Sequence, residues 1–450
     1  MKKIKFIIFS LTIIVISYFS LTSFIIGKDN LRFIKSILSE EQKIIIKKYL
    51  FPYKFIAYQE QTIASLKNND IKKELRFKDD LKDTLILKDS KLSNGMFLEK
   101  FKLDGGFEYG IWPYSNASGF IDFYNNDIFI LSAGGVLVFS KNFNNDKVLK
   151  QIQNNINEFI NLKHYSKSDR NWFSLKDVLI DKDKIYVSFT EEIEKDCWNT
   201  SIIYGKIDYK NINFEKLFSP TECVHSIKNI DNDFNAWQSG GKMISLDDDH
   251  ILLSVGDYRN RYLAQDKKSI NGKIIKININ NGKFTVISMG HRNPQGLYLD
   301  MKNNFVIETE HGPRGGDEIN IIEIEKINKS EILNYGWPVV STGEHYIKSD
   351  ELYKKYPLYK SHEDHGFIEP LKSFNPSIAI SEVIKIMDDK YVVGSMKDKS
   401  LYFFELNKKR EIFNLERVEV FERIRDLSLN NNKLYLFLEN SGSIGVINLN

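Results

Sequence analysis

From about residue 80 onward the chain repeats one pattern, a short apolar run followed by a turn rich in Asn, Asp or Gly. The runs include Gly119–Ser140, Val178–Thr190, Ser201–Asp208, Lys242–Val255, Lys273–Val286, Phe305–Glu308, Glu318–Glu325, Ser381–Val393, Leu401–Leu406 and Lys433–Leu438. Turn signals sit inside or beside them, as in Asn125-Asn126-Asp127, Asp247-Asp248-Asp249, Asn280-Asn281-Gly282 and Asn430-Asn431-Asn432. Short runs bounded by such residues read as strands, because Gly, Asn and Asp accept the backbone angles of tight turns. A sandwich of ~100 residues is too small for so many strands. A β-propeller fits: several four-stranded blades around an axis, leaving no long exposed edge. The pattern gives this all-β class and not the number of blades.

Composition narrows the function. The 450 residues carry 63 Lys plus Arg against 60 Asp plus Glu, a net charge of +3. A nucleic-acid binder would need a basic face, so this balance argues against one. The 2 cysteines exclude a disulfide scaffold, a four-cysteine zinc site and an all-cysteine iron–sulfur cluster. No Cys-x-x-Cys-His occurs, so no c-type haem is attached. Cys197 and Cys223 flank the run at 201–208, either as a disulfide formed outside the cytoplasm or as two buried thiols.

The N-terminus reads Met-Lys-Lys-Ile-Lys, followed by 21 uncharged residues from Phe6 to Ile26. That run is long enough to cross a bilayer as a helix, and its exit lacks the small-residue pattern of a cleavage site. Residues 1–29 are therefore expected to be a membrane anchor, with a cleaved signal peptide as the alternative. The leading lysines favour a cytoplasmic N-terminus and put the body in the periplasm or outside the cell. Residues 30–79 are expected to form a short helical stalk, with a capping box at Ser39-Glu40-Glu41-Gln42 and a stop at Pro52. Residues 80–450 form the propeller domain.

Polar loops concentrate between Gly290 and Pro338. They read Gly290-His291-Arg292-Asn293-Pro294-Gln295-Gly296-Leu297, Glu310-His311-Gly312-Pro313-Arg314-Gly315-Gly316-Asp317-Glu318-Ile319-Asn320 and Asn334-Tyr335-Gly336-Trp337-Pro338. Loops on a rigid scaffold are where binding residues tend to sit. Arg292 and Asn293 offer a fork of donors for a carboxylate or quinone oxygen. The Gly312-Pro313 step leaves carbonyl oxygens free, and such oxygens suit a hard cation.

These loops, in this order, resemble the pyrroloquinoline quinone (PQQ)-dependent soluble glucose dehydrogenase and aldose sugar dehydrogenase family. Further matches are Val255-Gly256-Asp257 with Ala264-Gln265-Asp266 and Gly272-Lys273-Ile274, then Pro376-Ser377-Ile378-Ala379, Gly394-Ser395-Met396-Lys397 and Arg423-Ile424-Arg425-Asp426. The resemblance covers residues 95–450. It implies a six-bladed propeller that oxidises the C1 hydroxyl of an aldose or related alcohol and passes electrons to an external acceptor. It implies that Arg292, Asn293, Lys397, Arg423 and Arg425 bind PQQ, and that Gly312 and Pro313 give backbone oxygens to Ca²⁺. Four cations and an amide suit a cofactor with three carboxylates and an ortho-quinone.

One position departs from the family. Its catalytic histidine lies in a pattern like H-x-[GS]-G-R, and the segment here is Ala236-Trp237-Gln238-Ser239-Gly240-Gly241-Lys242-Met243. One alignment puts Gln238 in the histidine's place, and the other puts Trp237 there. Neither side chain accepts a proton near neutral pH. Asp257, which orients that histidine in the family, is retained and is itself a candidate base if desolvated. The pair His362 and His365 is the other substitute considered. The alternative function is a propeller that binds without catalysis.

Overall fold

The computed structural model describes residues 80–81 and 85–449, apart from 104–106, 108–109, 112–114, 142, 144–146, 160–171, 330 and 348. The chain divides into two units, Met1–Lys67 and Asn68–Asn450, and every described residue belongs to the second. The expected anchor at 1–29 and stalk at 30–79 lie outside the described residues. Among the described residues, no helix is long and apolar enough to cross a membrane.

Among the described residues, six sheets follow one another along the chain, antiparallel except for the short edge strands Asn211–Ile212 and Leu333–Asn334, which pair in parallel. We number them as blades by their inner strands, which are Gly119–Tyr124, Leu175–Asp181, Gly240–Ser245, Pro294–Asp300, Ile380–Met387 and Ile424–Asn430 for blades 1 to 6. Each inner strand touches the next, and the sixth touches the first, so the ring is closed. Blade 6 combines strands from near both ends of the domain, while the short strand Asp80–Leu81 joins blade 1. Phe97–Lys102 pairs with Ser443–Asn448, in the register Phe101 opposite Ile444 and Leu98 opposite Ile447.

The closed ring explains the apolar runs. Each blade packs both faces against its neighbours, so its strands are apolar on both sides rather than alternating. Six apolar clusters fill the six junctions between blades. Met243 and Leu253 of blade 3, for example, meet Tyr186 and Ile202 of blade 2. One expectation is corrected here. The loop region was expected to run on from Gly290, but Pro294–Asp300 is the inner strand of blade 4. Proline is tolerated there because it is the first residue of the strand.

Cys197 and Cys223 form a disulfide with a Cα–Cα distance of 5.4 Å. It joins the strand Cys197–Lys206 to the short ribbon Val224–His225 that pairs with it. For a separation of 26 residues, the loop-entropy model puts its stabilisation at about 3.5 kcal/mol. Urea denaturation of the Cys197→Ala/Cys223→Ala variant is expected to show a loss of that order, with no further loss on adding a reductant. A variant as stable as the wild type would refute it.

Candidate functional site

In an antiparallel blade, the start of the first strand and the end of the second lie at the same end. The candidate residues occupy these positions. Arg292 and Asn293 precede the inner strand of blade 4, Arg423 immediately precedes that of blade 6, and Arg425 is its second residue. Gln238 closes a 3-10 turn, Ala236–Gln238, just before the inner strand of blade 3. Asp257, Gly312 and Lys397 each follow the second strand of a blade, in blades 3, 4 and 5. Residues separated by up to 187 positions thus converge on one end of the ring.

They line one cavity of about 590 Å³. Gln238, Arg292, Asn293, Gly312, Pro313, Lys397, Arg423 and Arg425 all face it. Asp257 does not. It is fully buried and lines a small neighbouring recess together with Gln238, Arg292 and Trp337.

The cations are held in different ways. Arg425 Nε and Arg423 Nε donate to the two oxygens of Glu439 at 2.7 and 2.8 Å. Burial acts to raise the Glu439 carboxyl, but Arg425 and Arg423 outweigh it and hold it below the usual carboxylate range. Arg292 is 4% exposed, and its Nη1 donates to the backbone oxygens of His311 (2.9 Å) and Gly312 (2.6 Å). The guanidinium also lies over the Trp337 ring, 5.4 Å from its centre. Lys397 is exposed. Among the described residues, neither Arg292 nor Lys397 has a carboxylate at ion-pair distance.

Asp257 accepts from the Trp337 indole N–H at 2.8 Å and from the Arg259 amide at 2.8 Å. Burial raises its carboxyl, and the Arg292 charge opposes that rise. It therefore fixes the indole on which Arg292 rests. The Gln238 turn is fixed by its backbone: Tyr258 N–H donates to the Gln238 oxygen at 3.0 Å. A Cβ on Gly256 would stand 2.2 Å from that oxygen, so only glycine fits. Gln238 Oε1 is buried, and no donor among the described residues reaches it.

Neither His362 nor His365 lines the cavity. His362 is buried outside the cavity, with its ring nitrogens 3.5 Å from Glu318 and 3.4 Å from Glu369. His365 is exposed and stacks on Tyr359 at 4.0 Å. Their sequence neighbours, Glu363 and Asp364, gave no sign that His362 turns inward toward the buried Glu318.

Two features were missed by reading the sequence. Lys242, on the inner strand of blade 3, reaches Asp177 (3.0 Å), Asp426 (3.3 Å) and Glu382, which come from the inner strands of blades 2, 6 and 5. Lys176, at the start of the inner strand of blade 2, also lines the cavity. The available signal was a charged residue in the opening positions of an apolar inner strand, shared by Lys176, Lys242 and Arg425.

The family model described as glucose/sorbosone dehydrogenase matches residues 173–446, more than half of the sequence. The chain belongs to the glucose/sorbosone dehydrogenase family. It is 31% identical over 218 residues to an uncharacterized protein of Synechocystis sp., covering 42% of this chain and 50% of that one. It is 25% identical over 244 residues to an aldose sugar dehydrogenase of Escherichia coli K12, covering 50% of this chain and 61% of that one. It is 28% identical over 191 residues to quinoprotein glucose dehydrogenase B of Acinetobacter calcoaceticus, covering 35% and 37%. The chain thus spans about half the length of the curated relatives it matches. A crystal structure of a glucose dehydrogenase shares the fold, with a TM-score of 0.58 at 22% identity, covering 73% of this chain and 95% of that one. In this glucose/sorbosone dehydrogenase family member, the cavity therefore sits on a shared propeller, while the segment before Gly240 carries Gln238.

Proposed function

We propose that this chain is a PQQ-dependent dehydrogenase that oxidises the C1 hydroxyl of an aldose or related alcohol and hands the electrons to an external acceptor. One observation carries the reading: Arg292, Lys397, Arg423 and Arg425 converge on a cavity of about 590 Å³. The names of two relatives, an aldose sugar dehydrogenase and a quinoprotein glucose dehydrogenase, support it.

The residues fit PQQ. Two of the four cations lack a carboxylate partner among the described residues, so three cofactor carboxylates would meet charge-assisted donors. The orphaned Gln238 Oε1 gives a hydroxyl of the substrate an acceptor. When bound, the ortho-quinone accepts a hydride from the carbon being oxidised. The chain's own part is to hold the anion with Arg423 and Arg425, keep Arg292 seated on Trp337, and orient the hydroxyl with Gln238. The arrangement suits Ca²⁺ less well. The Gly312 oxygen accepts from Arg292 and the Pro313 oxygen from Ser377 Oγ at 3.4 Å, so no step is assigned to an ion there.

We further propose that the body works outside the cytoplasm, held by residues 1–29. The disulfide is in keeping with an oxidising compartment.

Calorimetric titration of the purified full-length protein with PQQ, with and without Ca²⁺, tests the reading. Binding is expected, together with dye reduction in the presence of an aldose. Arg425→Ala is expected to weaken PQQ binding about 10- to 100-fold, the range for a hydrogen bond to a charged group. Absence of binding would overturn the reading. Binding without turnover on a broad panel of sugars and alcohols would replace it with a non-catalytic binding propeller.

A further inference from the structure

Alcohol oxidation needs a group that takes the hydroxyl proton, and Gln238 holds no basic atom that can do so. The other candidates around the cavity are committed. His311 Nε2 lies 2.7 Å from the Ile380 carbonyl and so donates to it, which leaves Nδ1 facing the Asn293 amide at 3.3 Å. His345 is buried and donates from Nε2 to the Tyr356 oxygen at 2.8 Å. Both Asp257 oxygens accept hydrogen bonds, and the residue lies off the main cavity. Asp317 accepts from the amides of Gly312 (3.0 Å) and Ile380 (3.3 Å).

Lys176 is different. It lines the cavity together with Gln238, and only 8% of it is exposed. Its stem packs against the turn that follows Gln238. A Cβ on Gly241 would stand 2.3 Å from Lys176 Cβ, and Gly241 holds a φ of +112° that favours glycine. Among the described residues, Lys176 Nζ has neither an acceptor nor a carboxylate partner. The neighbouring acids explain why: Asp177, Glu382 and Asp426 surround Lys242, and Glu439 is shared by Arg423 and Arg425. A buried amine without a counter-ion loses its proton easily. Burial, reinforced by the positive charge of Arg425, pushes Lys176 down to about 7.

We propose that Lys176 takes the substrate's hydroxyl proton in place of the missing histidine; the inference rests on the sugar-oxidation reading above. The hydroxyl O–H bond breaks, and the amine lone pair of Lys176 Nζ accepts the proton to become an ammonium. The C1 hydrogen leaves with both bonding electrons as a hydride to an oxidant of the ortho-quinone class, and a C1 carbonyl forms. The ammonium then returns its proton to water.

Two measurements test this. In the wild-type protein without cofactor, reductive methylation with formaldehyde, read by peptide mass spectrometry across pH, is expected to show Lys176 reaching half-maximal reactivity near neutral pH. Ordinary lysines do so near ~10.4. In the PQQ-loaded protein, Lys176→Met is expected to lower kcat by about 100- to 1,000-fold and to remove the rise of rate through neutral pH, while PQQ affinity stays within about threefold. Lys176→Arg should fail to rescue, because arginine keeps the charge but does not give up its proton. Rescue by Lys176→Arg, survival of turnover in Lys176→Met, or Lys176 reactivity like that of a surface lysine would each overturn the assignment alone. A wild-type protein that binds PQQ but turns over no substrate would overturn the sugar-oxidation reading, and this assignment with it.

Discussion

Replacing Lys242 with methionine is expected to destabilise the protein by about 3–5 kcal/mol at pH 8, the range for breaking a buried charge cluster by removing one partner. Lys242 is the cation at the centre of the ring. It stands on blade 3 and reaches carboxylates on blades 2, 5 and 6. Burial opposes its charge, but Asp177, Asp426 and Glu382 outweigh that and hold it well above the ordinary lysine range. Methionine keeps the stem and leaves three buried acids with no cation. The pH dependence has a definite sign. Burial raises Asp177 and Glu382 above the usual carboxylate range even with Lys242 present. Such groups contribute stability below their unfolded values, and that contribution is lost as pH rises through their folded values. Removing the lysine raises both further and deepens the loss. The gap between variant and wild type should therefore be smallest below about pH 3, where both acids are protonated in the folded and unfolded chains alike. Urea denaturation at acidic and alkaline pH measures it. A gap that is the same at both would show that the three acids do not depend on Lys242.

The second large effect concerns Glu439, which is fully buried and paired with two arginines of the cavity wall. Its Oε1 also accepts from the Ser118 hydroxyl on blade 1. Glu439→Ala leaves two cations without a counter-ion and is expected to cost about 3–5 kcal/mol. It should also weaken PQQ binding by at least about tenfold, because Arg423 and Arg425 lose the carboxylate that aims them. Glu439→Gln, which keeps the shape but not the charge, should fall between. Denaturation and calorimetric titration of the two variants check both parts. Undiminished PQQ affinity in the folded alanine variant would mean that the arginines serve the fold and not the cofactor.

The propeller class was legible because blades packed on both faces need apolar strands, and those strands stood out between Asn- and Gly-rich turns. The inner strand Ile424–Asn430 was harder to see, because Arg425, Asp426 and the terminal asparagine interrupt its apolar residues. The loops at Arg292, Gly312 and Lys397 were legible as a set through their family resemblance, and they do share one cavity. Lys176 was not, because a single lysine at the start of a strand looks the same whether it points to solvent or into a cavity. Its environment depends on Gly241 and Arg425, which lie 65 and 249 residues away. His362 is a similar case, since Glu318, one of the two acids beside it, lies 44 residues away in a strand.

The pairing of Phe97–Lys102 with Ser443–Asn448 also bears on how the chain matures. The two partners are separated by more than 300 residues. At ordinary synthesis rates of ~5–20 residues per second, the first partner waits on the order of 20–70 s for the second to be made. Until then blade 6 is incomplete, and the face of blade 1 that packs against it stays uncovered. The ring therefore closes only once the last strand has been made, so its closure is the final step of maturation rather than one that accompanies synthesis.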